Sequence, residues 1–279
     1  MKKVIAVIDI LHFSEDQIRG FKYFTRQTNS QLTIICLDSL TASPVSVTAS
    51  VFPEPPVIEY SQISVEARVA LQWQINQNIK QLHQLCDKDD ITVVLRESVS
   101  SPVSEIVNAS RFADLLLVSS STSFAALSDS NPPRFIKDIL VEAECPVMVL
   151  PDMSLPIKEI IFSYNGTYSS IYAIRQFTLL FPAYGDMPVK VVYVTENDQA
   201  TIPSKKDLKA YLDAHYSKVE YVVLNGNPAT EFLALLIRRD DCIVTYGAFG
   251  RSAISRFFHP SDADSILRTT NIPVFVTHP

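Results

Sequence analysis

The sequence predicts an α/β fold built from two tandem domains, each with a doubly wound sheet of five parallel strands. A repeat is the first sign: Asp114 and Asp241, each followed by an apolar segment, are 127 residues apart, as are Cys145 and Ile272. Apolar runs rich in valine, isoleucine and leucine also alternate with helical patterns, which is typical of strands buried on both faces of a parallel sheet. A unit of this kind, repeated once, predicts two domains in one chain.

Five predicted strands follow one another in each copy. In the first copy they are residues 4–10, 32–37, 92–95, 115–118 and 147–150. In the second copy they are residues 160–163, 189–194, 221–224, 243–245 and 274–276. Helices between successive strands predict right-handed crossovers, which put helices on both faces of each sheet.

The two copies differ in length and in glycine content. We predict a first domain at residues 1–151 and a second at 157–279, divided by a proline-containing linker at 151–156. The first copy carries an insertion at about residues 39–88, which includes a polar, proline-rich stretch at 39–56 and a long helix near 64–86. That stretch lacks apolar periodicity, so we expect a surface excursion. Only Gly20 lies in the first copy, whereas five glycines lie in the second, where a loop-built site is therefore favoured.

Composition excludes several classes of partner. The net charge of −6 provides no basic surface for nucleic acid or an anionic membrane. No apolar run reaches the roughly 20 residues that span a bilayer. The four cysteines and five histidines show no metal-ligand spacing, so we expect no metal site. Reduced cysteines indicate a cytoplasmic protein.

The segment from Gly226 to Ser252 resembles the universal stress protein (UspA-like) family. Supporting features are the opening strand that ends in Asp9, the turn at residues 163–167 and a closing Pro-Val-x-Val strand in both copies. The resemblance covers nearly the whole chain and implies a tandem two-domain member with an adenine nucleotide alpha hydrolase-like fold. It further implies that the two fifth strands meet across a pseudo-two-fold axis, giving an internal pseudo-dimer. Pairing would protect both strand edges.

ATP-binding members of this family carry Gly-x2-Gly-x9-Gly-Ser/Thr after the fourth strand, where backbone N–H groups and a helix N-terminus hold phosphate. In the second copy Gly247, Gly250 and Ser261 fit this pattern, but Pro260 replaces the third glycine and has no N–H to donate. Asp262 and Asp264 would repel phosphate from the first helical turn. The residues that the resemblance implies for nucleotide binding are Asn165, Gly166, Thr167, Val194, Gly247, Gly250, Arg251, Ser252 and Ser261.

The first copy departs further from that pattern. At the offset of 127 residues, Ser120 and Ser123 align with Gly247 and Gly250, and Pro133 aligns with Pro260. Without glycine the loop loses easy access to positive φ, so an ordinary polar loop is the expectation here.

No nucleophile elbow, Walker loop or nucleophile–base constellation is evident, so the sequence predicts no catalytic residues. We expect a non-enzymatic stress-response or regulatory protein with degenerate nucleotide sites, no cofactor and a protein client that the sequence does not identify. Two alternatives stay open: an ATP- or AMP-binding regulator that uses the second domain only, and a weak ATP hydrolase. A homodimer is also left open.

Overall fold

The computed structural model describes residues 2–37, 65–86, 91–95, 101–125, 129–152, 156–196, 201–247, 270–277 and 279. The strands are β1 (Lys2–Asp9), β2 (Ser30–Leu37), β3 (Thr92–Leu95), β4 (Leu115–Ser119), β5 (Val147–Leu150), β6 (Glu159–Tyr164), β7 (Val189–Thr195), β8 (Val219–Asn225), β9 (Cys242–Gly247) and β10 (Val274–Thr277). The helices are α1 (Glu15–Thr28), α2 (Val65–Cys86), α3 (Pro102–Ser110), α4 (Arg134–Glu142), α5 (Tyr168–Leu180), α6 (Lys205–Asp213) and α7 (Pro228–Leu236). The strands match the predicted positions, and α2 is the long helix predicted near 64–86. The predicted excursion at 39–56 lies outside the described residues.

The described strands form one sheet in the order β3-β2-β1-β4-β5-β10-β9-β6-β7-β8. Each half, β1–β5 or β6–β10, is parallel within itself. The halves join where β5 and β10 pair antiparallel, with Met148 opposite Phe275. The predicted meeting of the two fifth strands is therefore confirmed, and it makes one continuous ten-stranded sheet.

Two apolar layers cover this sheet. One face packs against α1, α2, α5 and α6, through side chains such as Phe21, Leu82 and Phe177. The other face packs against α3, α4 and α7, through Ile106, Ile139 and Leu236 among others. Helices on both faces are what strands of continuous apolar sequence require, since both sides of each strand must be covered.

Contacts between the halves extend beyond the paired strands. The Lys2 ammonium, at the start of β1, donates to the Leu179 and Leu180 carbonyls at the end of α5, with the Leu180 contact at 3.0 Å. A cation is favourable there because the last carbonyls of a helix carry partial negative charge. Phe24 of α1 also meets Phe181 edge to face, with ring centroids 6.3 Å apart. The two halves therefore share one apolar layer.

Strand register corrects the predicted alignment of the two copies. Ser119 lies opposite Leu150, and Gly247 lies opposite Thr277. Since Leu150 and Thr277 are equivalent at the predicted offset of 127, the counterpart of Gly247 is Ser119, not Ser120. Alignment by sequence alone was wrong by one residue here, and a slip of one residue exchanges the two faces of a strand.

No helix in the described part of the chain is long and apolar enough to cross a membrane.

Candidate functional site: one switch point in each half of the sheet

In each half, the carboxyl ends of two central parallel strands lie side by side. β1 pairs with β4 in the first half, and β6 pairs with β9 in the second. In both halves the following strands lie on opposite sides of this pair: β2 and β5 in the first half, β7 and β10 in the second. In the first half, the chain also leaves the two strands toward opposite faces of the sheet, because α1 and α4 belong to different layers. Open α/β sheets bind ligands at such a topological switch point.

The first switch point contains a cavity of about 290 Å³. Asp9, His12 and Gln17 line it on the side of β1 and α1. Ser121, Thr122, Ser123, Ala125 and Asp129 line it on the side of the loop after β4. Sequence reasoning placed the favoured site in the second half, so this cavity was not anticipated. Its signal in the sequence was Asp9 at the end of the first strand together with the run of hydroxyl residues after β4.

Asp9 is held in place by local hydrogen bonds. Its carboxylate accepts the Leu11 backbone N–H at 3.0 Å and lies 2.7 Å from His12 Nδ1. The Asp9 side chain is 3% exposed, whereas that of His12 is 73% exposed. The carboxylate therefore forms the floor of the cavity, and the imidazole lies at its mouth.

Gln17 joins the start of α1 to the opposite loop. Ser14 caps this helix: its hydroxyl accepts the Gln17 N–H at 3.2 Å, and the Gln17 side chain accepts the Ser14 N–H at 3.2 Å. This reciprocal arrangement is a capping box, which satisfies two otherwise free donors. The Gln17 amide then donates to the Ser121 hydroxyl at 3.2 Å. Both walls of the cavity are thus connected through one side chain.

Asp129 lies at the N-terminus of α4. Its carboxylate accepts the Ser123 hydroxyl at 2.6 Å, the Ser130 N–H at 2.7 Å and the Arg134 N–H at 3.2 Å. Arg134 is the first residue of α4, and the preceding residue, Pro133, supplies no side-chain cap. Burial opposes ionisation, but the bonds from Ser123, Arg134 and Ser130 outweigh it and hold the pKa of Asp129 below its usual value. A carboxylate of the chain itself thus takes the position that an anionic ligand would use at a helix N-terminus.

A third carboxylate fastens the loop after β4 to the segment after β5. Asp152 Oδ1 accepts the hydroxyls of Ser119 and Ser121, both at 2.6 Å. Ser119, the structural counterpart of Gly247, therefore makes a hydrogen bond that glycine could not. Neither Asp129 nor Asp152 was predicted as a site residue; an Asp a few residues before a helix is the one signal that pointed to the first of them.

At the second switch point, hydrogen bonds within the turn after β6 fix the residues that lead into α5. Asn165 Oδ1 accepts the Thr167 N–H at 3.1 Å and the Thr167 hydroxyl at 2.6 Å. Gly166 has φ of +77°, and a Cβ there would lie 2.9 Å from the Pro203 ring. The Tyr164 hydroxyl donates to the Pro203 carbonyl at 2.8 Å, which holds that proline over the turn. Glycine at 166 is required by both its backbone conformation and this close cover.

Gly247 ends β9 directly against α5. A Cβ at this position would lie 1.9 Å from the Ser169 carbonyl oxygen and 2.6 Å from the Ser170 nitrogen. Close packing of a helix on a strand is therefore sufficient to explain this glycine. The structure brings Asn165, Gly166, Thr167 and Gly247 to neighbouring strand ends, and Val194 is half-buried near the end of β7. The other residues predicted for this site lie outside the described residues: Gly250, Arg251, Ser252 and Ser261.

Fold and switch points define a doubly wound α/β protein of the kind that binds ligands at the carboxyl edge of its sheet. Residues 179–278 match the sequence model of the universal stress protein family. The resemblance expected from the motifs is therefore confirmed. None of the curated proteins matches this chain.

Solved structures share the fold over the full chain. A universal stress protein from Archaeoglobus fulgidus is similar with a TM-score of 0.68 at 13% identity, covering 99% of this chain and 96% of the other. A functionally unknown protein from Pseudomonas aeruginosa PAO1 gives 0.59 at 12% identity, with 100% and 93% covered. A putative universal stress protein from Pseudomonas aeruginosa UCBPP-PA14 gives 0.55 at 12% identity, with 100% and 94% covered. At such identities the likeness establishes the fold alone.

Proposed function

We propose that this protein is a non-enzymatic stress-response or regulatory protein, and that its first switch point does not bind nucleotide phosphates. One observation carries the proposal: the Asp129 carboxylate already accepts the donors at the start of α4 and in the loop after β4. A phosphate entering there would have to displace this carboxylate and then meet its charge.

The free energy needed to displace the Asp129 carboxylate supports the exclusion of nucleotide phosphate from the first switch point. A hydrogen bond to a charged group contributes roughly 1.5–3 kcal/mol, and Asp129 would lose several of them on displacement. Asp9 adds a second negative charge at the same cavity. The loop after β4 has no glycine to bring further backbone N–H groups toward a phosphate.

Burial of the thiols supports a role without covalent catalysis. All four cysteines are buried, and none of them forms a disulfide. Burial raises the pKa values of Cys36, Cys145 and Cys242 to about 12, so these groups are neutral thiols and weak nucleophiles at physiological pH. Reduced thiols also fit the cytoplasmic location that forms part of this proposal. Output would then pass through a protein client, with a homodimer as a further proposal.

Equilibrium titration of the purified chain with ATP and ADP, with and without Mg²⁺, tests the proposal. We expect no saturable heat and no release of phosphate from ATP. Tight ATP binding would overturn it. If ATP binds, the Asp129→Ala variant shows which half binds it. An affinity for ATP unchanged by this substitution would assign the nucleotide to the second half, in agreement with the alternative of a regulator that uses the second domain only.

A further inference from the structure

We propose that the cavity at the first switch point binds a small organic cation, through a primary ammonium or guanidinium group. This inference rests on the proposed function, because a cavity suited to nucleotide phosphates would not favour a cation.

The lining of the cavity is acidic. It includes the carboxylates of Asp9 and Asp129, and the lining residues that the structure describes include no lysine or arginine. Arg134 is not among the described lining residues. Its side chain is 85% exposed, and its guanidinium pairs with Asp138 of the same helix at 3.7 Å. His12 is the remaining titratable group, and its Nδ1 already contacts Asp9. Two carboxylates in a partly enclosed site attract a cation more strongly than they would in open solvent.

Thr122 offers the cavity a free acceptor. The residue is 5% exposed and lines the cavity, and its hydroxyl makes no hydrogen bond to any residue within the described ranges. Its backbone N–H, by contrast, donates to the Ser119 carbonyl at 3.0 Å, so the loop that presents the hydroxyl is held in place. Because the hydroxyl oxygen is not fully enclosed by protein, a ligand N–H in the cavity can reach it and donate to it.

The neighbouring hydroxyls are arranged to accept rather than donate. Ser121 donates to Asp152, and Ser123 donates to Asp129. Each hydroxyl has two lone pairs, one of which already accepts the Gln17 amide at Ser121 or the Ala125 N–H at Ser123, so each keeps one acceptor position. An ammonium has three donors and a guanidinium five, whereas neither has an acceptor, so their chemistry complements this lining.

Size and ligand count favour an organic cation over a metal ion. No group of three or more metal-binding side chains is close enough to hold an ion among the described residues. The volume of about 290 Å³ is near the lower end of small-molecule sites. A molecule of a few carbons with one or two cationic ends fits both observations.

Calorimetric titration of the full chain tests the inference with putrescine, agmatine and the neutral analogue 1,4-butanediol. We expect one of the two cations to bind and the diol not to bind. Thr122→Val keeps the shape of the side chain but removes the acceptor, and it should weaken cation binding about tenfold or more. Thr25→Val is the matched control, because the Thr25 hydroxyl donates within α1 to the Phe21 carbonyl and does not line the cavity.

Shifts of the His12 ring resonances during the titration would locate the cation at this cavity, even if a variant were poorly folded. Absence of binding by both cations, equal binding of the diol, or equal weakening in the two threonine variants would each overturn the inference. Binding of ATP would overturn the proposed function instead, so the two failures are distinguishable.

Discussion

Asp129 shows how one side chain can replace a ligand. Its carboxylate accepts hydrogen bonds from Ser123, Ser130 and Arg134, and so it acts as a distant cap of α4. Capping by Asp from five residues before the helix is possible because the turn at residues 129–133 brings the side chain back to the first helical N–H.

Replacing Asp129 by alanine should destabilise the protein by about 2 kcal/mol, the upper end of the cost of losing a cap, because several hydrogen bonds to a charged carboxylate are lost together. Chemical denaturation of wild type and variant would measure it. Asp138→Ala is the control, since Asp138 forms a long ion pair of 3.7 Å with Arg134 on the same helix, and it should change stability by less than about 0.5 kcal/mol.

The effect of Asp129→Ala should depend on pH. Because the folded-state pKa of Asp129 is lowered, its contribution is present above the unfolded-state pKa and is lost as pH falls through the folded-state value. Wild type and variant should therefore converge in stability in acid, below about pH 4. A difference that stays constant down to pH 2 would contradict the assignment of Asp129 as an ionised cap.

Gly247 and Gly20 provide a matched pair of glycines. Gly247→Ala would place Cβ 1.9 Å from the Ser169 carbonyl, so α5 would have to move. We expect a loss of about 3 kcal/mol or more. Gly20→Ala, inside α1, meets only Leu150 Cδ1 at 3.5 Å and should stabilise by about 0.5–1 kcal/mol. Thermal unfolding followed by circular dichroism would measure both, and similar behaviour of the two variants would refute the close packing of α5 on β9.

At the scale of the elements, an ion-pair network ties together the amino ends of β6, β7 and β9. Glu159 contacts Arg239 at 2.9 Å and Lys190 at 3.2 Å, and Arg239 also pairs with Asp241 at 3.1 Å. The Glu159 side chain is 17% exposed. The network therefore lies at the end of these strands opposite to the second switch point, and its residues do not belong to either candidate site.

Glu159→Gln should destabilise the second half by about 2 kcal/mol, because it leaves Arg239 and Lys190 partly buried with one carboxylate fewer. Glu220→Gln is the control: Glu220 also pairs with Lys190, at 3.6 Å, but is 66% exposed and should cost less than about 0.5 kcal/mol. Urea denaturation at low and high salt would compare them. Equal losses would show that burial of the network contributes nothing.

At the scale of the whole molecule, the antiparallel pair of β5 and β10 makes the two halves one body. Each of these strands would otherwise be an edge with unpaired N–H and C=O groups. Lys2 and the Phe24–Phe181 contact bury further surface between the halves. We therefore expect the halves to depend on each other for stability.

Residues 1–152 and 157–279, expressed separately, should aggregate or self-associate, and they should form a 1:1 complex when mixed. Size-exclusion chromatography with light scattering would measure the masses, and thermal unfolding would compare each half with the complex. Two monomeric halves, each as stable as the intact chain, would contradict this dependence.

The positions of the strands and the long helix could be predicted from the sequence, because they depend on local patterns. Strands such as β4, with five buried residues in succession, are covered on both faces, so their sequence is a nearly continuous run of apolar residues that can be recognised directly. The pairing of the fifth strands came from the family resemblance and was confirmed. The exact alignment of the copies could not be obtained from local patterns, since they do not show whether Ser119 or Ser120 corresponds to Gly247. Only the pairing of β4 with β5 and of β9 with β10 distinguishes the two.

By itself the sequence determined the α/β class and the family resemblance, because motifs and hydrophobic periodicity are properties of the chain order; the duplication that it predicts stays a prediction. Tertiary structure alone decided that a cavity lies at the first switch point and that Asp129 and Asp152 bind its hydroxyl loop. It also decided that Gly247 packs against Ser169. These contacts join residues that are 6 to 78 positions apart, as in the Ser123–Asp129 and Ser169–Gly247 pairs, and such distances in space are set by how helices pack on the sheet.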